Sequence, residues 1–503
     1  MKIPKLSVNA KWDGPIIHMT GNITGILGTV MLLISIIALY FGEDVKPFLY
    51  PGLLCILIAL PMVTLFAIEK NLRPVDGLLM VTVMWLFVIG IGSVPFLMSN
   101  FAAVDAIFES ASGFTTTGST IINDVGELPN SLLLWRSATQ WFGGIATILI
   151  VISILPMLGI GGKSMVLNET FGSGTKNFTA RIKDTAKQFV MIYLGLTIIL
   201  AVACIILGAG VLESVCITMS TISTGGFMPV NSLDAYNSAI HLTLMVFMFM
   251  GGTNFHLHYR AVYEKDPSVY MKNSEFKIMA LWFIAVAVLM FLIITGTTGD
   301  EKLVGTTTGE FGNVLFTVIS IGTGTGYVAA DHSIWATSGA IFLLIALMFI
   351  GGSSGSTSGG IKIYRGVFMV KYLKNAMQKL IHPRAMFDVK LDGSSIDQDT
   401  LSSAVAVVML FFITLLAGSV VAVIFGHSPL DAFSLVLSSV TNTGSSFSTE
   451  HGPMGSLADV PGVMKIVLAV LMWLGRLEII MALVLVMPAF WKEMIRGRAR
   501  TRP

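Results

Sequence analysis

The sequence predicts an all-α integral membrane protein with ten transmembrane helices, eight of which form four related units around one central pore. Three observations lead to this fold class. Of the 503 residues, 54% are hydrophobic and only 12% are charged, whereas a soluble domain carries about 25% charged residues. Several apolar runs reach the roughly 20 residues that a helix needs to cross a bilayer. One polar motif also recurs at intervals of about one hundred residues.

The ten apolar segments are long enough to be interpreted as spanning helices. They lie near residues 17–42, 50–69, 74–98, 132–158, 186–209, 236–262, 275–297, 334–350 with a continuation after 361, 399–425 and 462–490. Lysine and arginine are concentrated in the loops on one side and in the C-terminal tail. Because basic loops stay in the cytoplasm, we expect both termini to be cytoplasmic, in agreement with an even number of spans.

The composition also argues against other classes of protein. A net charge of +2 predicts no nucleic-acid partner. Cys55, Cys204 and Cys216 lie in apolar segments and predict neither a disulfide framework nor a metal site. The basic N-terminus is followed by an apolar run without a convincing cleavage site, so we expect no removed signal peptide. The chain has no nucleotide-binding pattern and no nucleophile constellation, so we expect no enzyme activity and no organic cofactor.

Four polar stretches share several positions when they are aligned on one glycine. The glycines are Gly118, Gly226, Gly326 and Gly444, at intervals of 108, 100 and 118 residues. Six residues before them stand Ser112, Ser220, Ser320 and Ser438. Thirteen residues before them stand Asp105, Glu213, Asn313 and Asp431, and one residue before them stand Thr117, Gly225, Thr325 and Thr443. Four unrelated turns would not share these registers, so the chain contains an internal repeat.

Each repeated segment is too short to span a membrane. We expect a short helix of about ten residues followed by an extended loop, with the residue at −13 in the first turn, where acids and amides satisfy free N–H groups and the helix dipole. A unit is then a spanning helix, a short helix, a polar loop and a second spanning helix. The predicted divisions are an N-terminal two-helix extension at 1–72 and four units at 73–160, 161–265, 266–390 and 391–503, the last with the basic tail.

The four polar loops, residues 115–120, 223–228, 323–328 and 441–446, are predicted to meet at a pseudo-fourfold axis. Irregular backbone at membrane depth is tolerated only where it is buried in protein or lines a watery cavity. Rings of carbonyl and hydroxyl oxygens replace the hydration shell of an alkali cation. The C-terminal ends of the short helices would add negative potential there. The pattern therefore favours a cation pore.

A second polar stretch, GGSSGSTSGG, interrupts the helix expected between 334 and 373, and we name it the intramembrane loop. Its residues are Gly351, Gly352, Ser353, Ser354, Gly355, Ser356, Thr357, Ser358, Gly359 and Gly360. Each glycine disfavours a helix by up to about 1 kcal/mol. We interpret the stretch as a gate below the polar loops with glycine hinges, anchored by Lys362; a kink or a small-residue helix contact is the alternative.

Arg476 lies near the middle of the last apolar segment, where a charge is costly and usually faces the bundle interior. We interpret it as a positive barrier on the pore wall; a structural ion pair with an acid such as Glu478 is the alternative. On a regular helix Glu478, two residues on, would face away. His256 and His258 are two residues apart and would not converge on one metal, so we expect interfacial or dimer contacts from them.

The repeated pattern resembles the superfamily of K⁺ transporters that includes the Trk and Ktr proteins and the fungal and plant high-affinity K⁺ transporters. Length and the two extra N-terminal helices are similar to the TrkH type, and the resemblance covers essentially the whole chain. The local matches are GFTTTGST (113–120), WFGGIATILIVISILP (141–156), STGGF (223–227), GGTNFHLHY (251–259), GGSSGSTSGGIK (351–362), TNTGSS (441–446) and LGRLEI (474–479).

The resemblance implies a K⁺ selectivity filter in the polar loops. Its residues would be Thr116, Thr117, Gly118, Thr224, Gly225, Gly226, Gly324, Thr325, Gly326, Asn442, Thr443 and Gly444, with K⁺ bound at the last two of each set. Glycine rather than serine at 118 implies preference for K⁺ over Na⁺. The second loop departs from the pattern because Gly225 replaces the usual threonine.

The resemblance further implies a gating loop at 351–360 and an arginine, Arg476, that obstructs the pore. It implies a homodimer with one pore per chain in a prokaryotic cytoplasmic membrane, regulated by a TrkA-type, RCK-fold subunit that binds nucleotides. We therefore expect gated K⁺ uptake. The alternative is a symporter coupled to H⁺ or Na⁺, for which Asp105, Glu213 and Asp431 are the available acids, although their place at helix starts is explained by capping alone.

Overall fold

The structure, a computed structural model, describes residues 13–66, 74–153, 178–297, 309–329, 339–382, 390–391, 394–395, 398–447, 452 and 455–493. Within these ranges the regular secondary structure is helical except for one short antiparallel pair of strands. Its strands are β1 (Lys390–Leu391) and β2 (Ser394–Ser395), with Lys390 opposite Ser395. The described chain thus has the helical character that the sequence predicts.

The helices follow the predicted order of long and short segments. The first five are α1 (Asp13–Phe41), α2 (Lys46–Leu65), α3 (Pro74–Met98), α4 (Ala103–Phe114) and α5 (Asn130–Ser153). They are followed by α6 (Phe178–Ile206), α7 (Val211–Ile222), α8 (Ser238–Gly251), α9 (Phe255–Tyr263) and α10 (Val269–Lys272). Next come α11 (Ser274–Thr297), α12 (Glu310–Gly322), α13 (Ala340–Ile350) and α14 (Ile363–Ile381). The last four are α15 (Gln398–Ile424), α16 (Pro429–Thr441), α17 (Gly462–Arg476) and α18 (Ile479–Val484).

Six of the described helices, α1, α2, α3, α6, α11 and α15, are long and apolar enough to cross a membrane without interruption. Their outward faces keep large apolar side chains exposed, such as Leu39, Leu281 and Leu416. In water such faces would be unfavourable, whereas lipid tails are as apolar as these side chains. These six helices correspond to the predicted N-terminal extension and to the first helix of each predicted unit.

The second helix of three predicted units is broken. The prediction of one continuous span over 236–262 is wrong, because α8 and α9 meet at a bend of 98°. The side chain of Asn254 accepts the N–H of His256 and so caps a new helix. The prediction over 462–490 is also wrong as one helix, because Glu478 adopts a left-handed backbone conformation (φ 55°) between α17 and α18. The interruption predicted at 351–360 is present between α13 and α14.

Glycines allow the second helices to approach the short helices closely. A Cβ atom on Gly143 of α5 would lie 2.0 Å from the carbonyl oxygen of Phe114, at the end of α4. A Cβ atom on Gly475 of α17 would lie 2.1 Å from the carbonyl oxygen of Val440, in the last turn of α16. Real Cβ atoms do not come so near, so only glycine permits this packing. The short helices are thereby held by backbone contact with the helices that follow them.

A buried ion pair ties α4 to α5. Nε of Arg136 lies 2.8 Å from Oε1 of Glu109, and the two side chains are 2% and 0% exposed. Glu109 also accepts from the hydroxyl of Thr120 (3.0 Å) and from the N–H of Ile121 (3.2 Å). The guanidinium of Arg136 lies 4.2 Å from the ring centre of Phe227. Each buried charge has a partner, which is the condition for leaving charges inside a protein.

We expect Arg136→Ala to lower the stability of the folded protein by about 3–5 kcal/mol, because Glu109 would be left buried and unpaired. The matched control is Arg260→Ala, which removes a pair to Glu264 whose side chains are 40% and 48% exposed, and it should cost about 0.5 kcal/mol or less. The apparent Tm in detergent, followed by tryptophan fluorescence, measures the loss of stability in each variant. Equal shifts in the two variants would contradict the structural role of the buried pair.

Candidate functional site

All four polar loops leave their short helices in the same way. The residue two before each aligned glycine has a left-handed backbone; these residues are Thr116, Thr224, Gly324 and Asn442, with φ of 52°, 52°, 74° and 53°. The N–H of the next residue donates to the carbonyl of the serine at −6; the distances for Thr117, Gly225, Thr325 and Thr443 are 2.9, 2.8, 2.8 and 3.0 Å. This is the Schellman ending of a helix. The serine noticed at −6 therefore marks the residue whose carbonyl closes the turn.

The serine hydroxyl supports the loop in two of the four copies. Oγ of Ser112 donates to the carbonyl of Ser119 at 2.6 Å, and Oγ of Ser320 donates to the carbonyl of Tyr327 at 2.8 Å. Each bond joins the last turn of a short helix to the residue after the aligned glycine. These contacts hold the extended backbone beside the helix that precedes it.

The four aligned glycines form a closed ring. Their φ values are 88°, 85°, 76° and 78° for Gly118, Gly226, Gly326 and Gly444. A Cβ atom on Gly118 would lie 2.2 Å from the carbonyl oxygen of Gly225, and one on Gly226 would lie 2.0 Å from the carbonyl oxygen of Thr325. A Cβ atom on Gly326 would lie 1.8 Å from the carbonyl oxygen of Thr443, and one on Gly444 would lie 2.1 Å from the carbonyl oxygen of Thr117. Each glycine thus touches the carbonyl at −1 of the next loop in chain order, and the fourth touches the first. Both the backbone angle and the close contact require glycine.

A cavity of about 180 Å³ opens on one side of the ring and is lined by all four glycines. Several other lining residues, such as Ser119, Met228 and Ser446, follow the glycines in their loops, and Arg136 of α5 also lines the cavity. At its edge Nδ2 of Asn231 donates to Asp124 at 2.7 Å. This bond and that from the N–H of Gly126 hold the pKa of Asp124 below its usual range. Asp124 therefore stays ionised to a lower pH than an ordinary aspartate, next to Asn123, Val125 and Asn231, which line the cavity.

The intramembrane loop packs against the opposite side of the ring. Oγ1 of Thr357 lies 3.0 and 3.2 Å from the carbonyl oxygens of Gly251 and Ile222, and it accepts from Oγ1 of Thr224 at 3.1 Å. A Cβ atom on Gly359 would lie 2.0 Å from the carbonyl oxygen of Thr441. Ile222, Thr224 and Thr441 precede the aligned glycines of their loops, and Gly251 is the last residue of α8. The loop therefore lies beneath the ring, on the side away from the cavity.

Arg476 reaches the same loop from the end of α17. Its Nη1 donates to the carbonyl of Thr357 at 2.8 Å, and the residue is 7% exposed. Its Nε and Nη2 have no hydrogen-bond partner among the described residues. Glu478 pairs with Arg365 instead, so the interpretation of Arg476 as the ion-pair partner of Glu478 is wrong. A buried positive charge is held at the loop by one backbone carbonyl.

Further contacts hold the interior of the intramembrane loop. Nζ of Lys362 donates to the carbonyl of Ser358 at 2.6 Å, in line with the anchoring role expected of it. Oε1 of Glu275, at the start of α11, accepts the N–H of Ser354 at 2.6 Å. The carbonyl of Gly355 accepts the N–H of Phe255 at 3.1 Å. Charged side chains from two elements thus satisfy loop backbone that no helix satisfies.

The residues at −13 lie near the starts of their short helices, but the contacts of the three acids are with side chains. Nζ of Lys465 donates to Asp105 at 2.7 Å, Nδ1 of His427 lies 2.9 Å from Asp431, and the hydroxyl of Tyr236 donates to Glu213 at 3.2 Å. The cap of α16 is the side chain of Ser428, which precedes the helix. Capping alone is therefore not what these acids do.

The two histidines singled out in the sequence are buried in α9, not exposed as interfacial residues would be. His258 lies 2.8 Å from the hydroxyl of Tyr270 and 3.0 Å from the carbonyl of Met250, and His256 stacks on Tyr259. In the part of the chain that the structure describes, no three His, Cys, Asp or Glu side chains form a metal site. Their contacts within the chain are structural.

The sequence reasoning missed four charged residues that support the site: Glu109, Arg136, Glu275 and Arg365. All lie within or next to apolar segments, where an ionisable residue is costly and marks a functional position. That signal was available for Arg136, which stands only four residues inside its predicted span. The partners, in contrast, are far apart in the chain and could not be paired from one sequence.

Comparison with known proteins gives consistent matches. The family model described as "TrkH: Cation transport protein" matches residues 53–493. A Trk system potassium uptake protein TrkH of Vibrio parahaemolyticus is 35% identical over 437 residues, 84% of this chain and 88% of that protein. A Trk system potassium uptake protein TrkG of Escherichia coli is 29% identical over 495 residues, 95% of this chain and 98% of that protein.

The solved structures agree with the sequence matches. The crystal structure of the potassium transporter TrkH from Vibrio parahaemolyticus has a TM-score of 0.85 to this chain at 30% identity. It covers 95% of this chain and 99% of that one. The likeness confirms the predicted class of an all-α integral membrane protein.

We expect Lys362→Met to speed amide hydrogen exchange in the intramembrane loop by about fivefold, because the carbonyl of Ser358 loses its charged donor. Lys374→Met, at an exposed position of α14, is the matched control and should leave that exchange unchanged. Exchange measured by mass spectrometry in detergent micelles tests the pair. Unaltered exchange over 351–360 in Lys362→Met would show that Lys362 does not hold the loop.

Proposed function

Because the chain belongs to the TrkH family of cation transport proteins, we propose that it takes up K⁺ through one pore whose filter is the ring of polar loops. The family resemblance stated from the sequence is confirmed by the matches, and the chain is a transport protein rather than an enzyme. The observation that carries the proposal is the closed ring in which each aligned glycine touches the −1 carbonyl of the next loop. K⁺ is the transported substrate.

The ring has the chemistry that a weakly hydrated cation requires. Carbonyl oxygens replace water around the ion without presenting a full negative charge. The short helices end at the ring, so the partial negative charge of four C-termini adds to the field there. The proposed ligands are the backbone and hydroxyl oxygens of the residues at −1 and 0, namely Thr117, Gly118, Gly225, Gly226, Thr325, Gly326, Thr443 and Gly444.

We assign the gate to the intramembrane loop together with Arg476. The loop lies directly under the ring, and the guanidinium adds a positive charge to the path of a cation. To open, the loop must give up hydrogen bonds to its surroundings, five at Thr357, one at Ser358 and one at Ser354, worth about 0.5–1.5 kcal/mol each. A regulator that shifts the ratio of open to closed protein from 1:99 to 99:1 supplies about 5.5 kcal/mol. The two quantities are of the same order, which supports partner binding as the force that moves the loop.

The regulator is proposed to be a separate cytoplasmic subunit of the TrkA type that binds nucleotides, acting on a homodimer. The relatives are named as proteins of a Trk system, which supports a multi-component assembly. The concentration of Lys and Arg in one set of loops and in the tail supports cytoplasmic termini, in the cytoplasmic membrane of a prokaryote. Helix α14, which begins at Ile363 just after the intramembrane loop, carries Lys371, Lys374 and Lys379. A partner bound there would act on the gate through one helix.

The coupled symporter is less well supported by the contacts of its candidate acids. Asp105, Glu213 and Asp431 are engaged by Lys465, Tyr236 and His427, so none is left as a lone carboxylate to carry a proton. Reversal potentials in proteoliposomes separate the two mechanisms. For uncoupled K⁺ flux they follow the K⁺ gradient alone, whereas a shift with an imposed pH gradient would establish coupling.

We expect Gly118→Ser to lower the K⁺/Na⁺ permeability ratio by about tenfold. The new Cβ would lie 2.2 Å from the carbonyl of Gly225 at φ 88°, and strain of about 1–3 kcal/mol must widen the ring. Gly462→Ser is the matched control, because its Cβ would have no neighbour closer than 3.7 Å. Flux in proteoliposomes measures the ratio, and unchanged selectivity in Gly118→Ser would remove the filter assignment.

We expect Arg476→Ala to raise K⁺ flux about tenfold or more, because both the positive charge in the pathway and the hydrogen bond to the loop are lost. Arg476→Lys keeps the charge and should raise flux less. Single-vesicle or bulk K⁺ efflux, normalised to folded protein, gives the comparison. Reduced flux from well-folded Arg476→Ala protein would mean that the arginine supports conduction instead of opposing it.

A further inference from the structure

We infer that Gln140 supports the second polar loop of the filter. Its side-chain amide replaces the threonine that this loop lacks at −1, and it sets the discrimination between K⁺ and Na⁺ at this loop. Gln140 lies on α5, in the unit before the loop that it supports. The inference rests on the proposed function for its selectivity part. Its structural part, the replacement of one side chain by another, is independent of transport.

Three of the four loops share a side-chain contact that the second loop cannot make. The hydroxyl oxygens at −3 and −1 are 2.8 Å apart in each; the pairs are Thr115 with Thr117, Thr323 with Thr325, and Thr441 with Thr443. In the second loop these positions are Ser223 and Gly225. Ser223 donates instead to the carbonyl of Ser220 at 3.1 Å. The second loop therefore lacks the hydrogen bond between side chains at −3 and −1 that the other three loops share.

Gln140 occupies the corresponding space. Its Nε2 donates to the carbonyl of Gly225 at 2.6 Å, and its Oε1 accepts the N–H of Phe227 at 3.1 Å. A Cβ on Gly225 would lie 2.4 Å from Cδ and 2.5 Å from Oε1 of Gln140. The backbone of Gly225 is outside the left-handed region, so its torsion does not require glycine. What excludes a side chain at 225 is the amide of Gln140.

The orientation of this amide is fixed by chemistry. Only an oxygen can accept the N–H of Phe227, so the nitrogen must face the carbonyl of Gly225. That carbonyl belongs to the ring, since it is the one that touches Gly118. A neutral donor on one of its lone pairs weakens the field that it offers to an ion. Weaker carbonyl fields favour the less strongly hydrated K⁺ over Na⁺.

The test is an exchange of the two side chains in the full-length protein. Gly225→Thr alone should clash with Gln140 and reduce K⁺ flux at least tenfold, with a lower apparent Tm. The double variant Gln140→Ala/Gly225→Thr places a threonine in the vacated space and should recover most of the K⁺ flux and most of the apparent Tm. Gln140→Ala alone should lower the K⁺/Na⁺ permeability ratio about fivefold, because the carbonyl of Gly225 and the N–H of Phe227 both lose their side-chain partner.

The control asks whether the rescue is local. Gly326→Ser places a Cβ 1.8 Å from the carbonyl of Thr443 in another quarter, and Gln140→Ala should not rescue it. The inference is overturned if Gly225→Thr behaves as wild type, if the double variant is no better than Gly225→Thr, or if Gln140→Ala leaves the K⁺/Na⁺ ratio unchanged.

Failure of the proposed function gives a different result. If the wild-type protein shows no K⁺-selective flux, the function fails, while the Tm values of the single and double variants still decide whether Gln140 and a threonine at 225 compete for one space. If wild-type flux is selective and the Tm values do not show rescue, the role inferred for Gln140 is wrong and the proposed function stands.

Discussion

The structure depends on one constraint: backbone N–H and carbonyl groups at membrane depth must find partners within the chain, because hydrocarbon offers none. The polar loops meet this constraint by the Schellman bonds to the serines at −6 and by direct contact of each glycine with the next loop. The carbonyls at −1 of the four loops are thereby brought together at one ring, where the proposed ion pathway lies. The backbone of the intramembrane loop beneath the ring is bound by Lys362, Glu275 and Arg476.

The same constraint separates two kinds of helix among the described residues. Helices such as α6 and α15 are continuous and apolar, and they expose large side chains on their outer faces. The helices that follow the polar loops contact the short helices through glycines such as Gly143 and Gly475, and they contain polar side chains and breaks. Position relative to the ring therefore decides which helices can be interrupted, and all three described interruptions, at 252–254, 351–362 and 477–478, fall on this inner set.

Much of this arrangement was predictable from the sequence because it is periodic or compositional. The apolar runs give the outer helices, and the registers at −6 and −13 give the short helices and their endings. The bend at Gly252 and the break at Glu478 were missed because the sequence stays largely apolar through both positions. The bend is stabilised by the side-chain cap from Asn254, and the break by the ion pair between Glu478 and Arg365. Gln140 was missed for a similar reason: its partners are 85 and 87 residues away, and one sequence does not show which distant residues meet.

The hydrogen bond between Thr224 and Thr357 joins the ring to the segment beneath it. Two binding events that share a contact are coupled, and thermodynamic coupling acts equally in both directions. If displacement of the segment alters the affinity of the ring for an ion, then occupancy of the ring must alter the tendency of the segment to move by the same factor. In the proposed function the ion would then be an effector as well as the transported substrate, and its external concentration would help to set the open fraction of the pore.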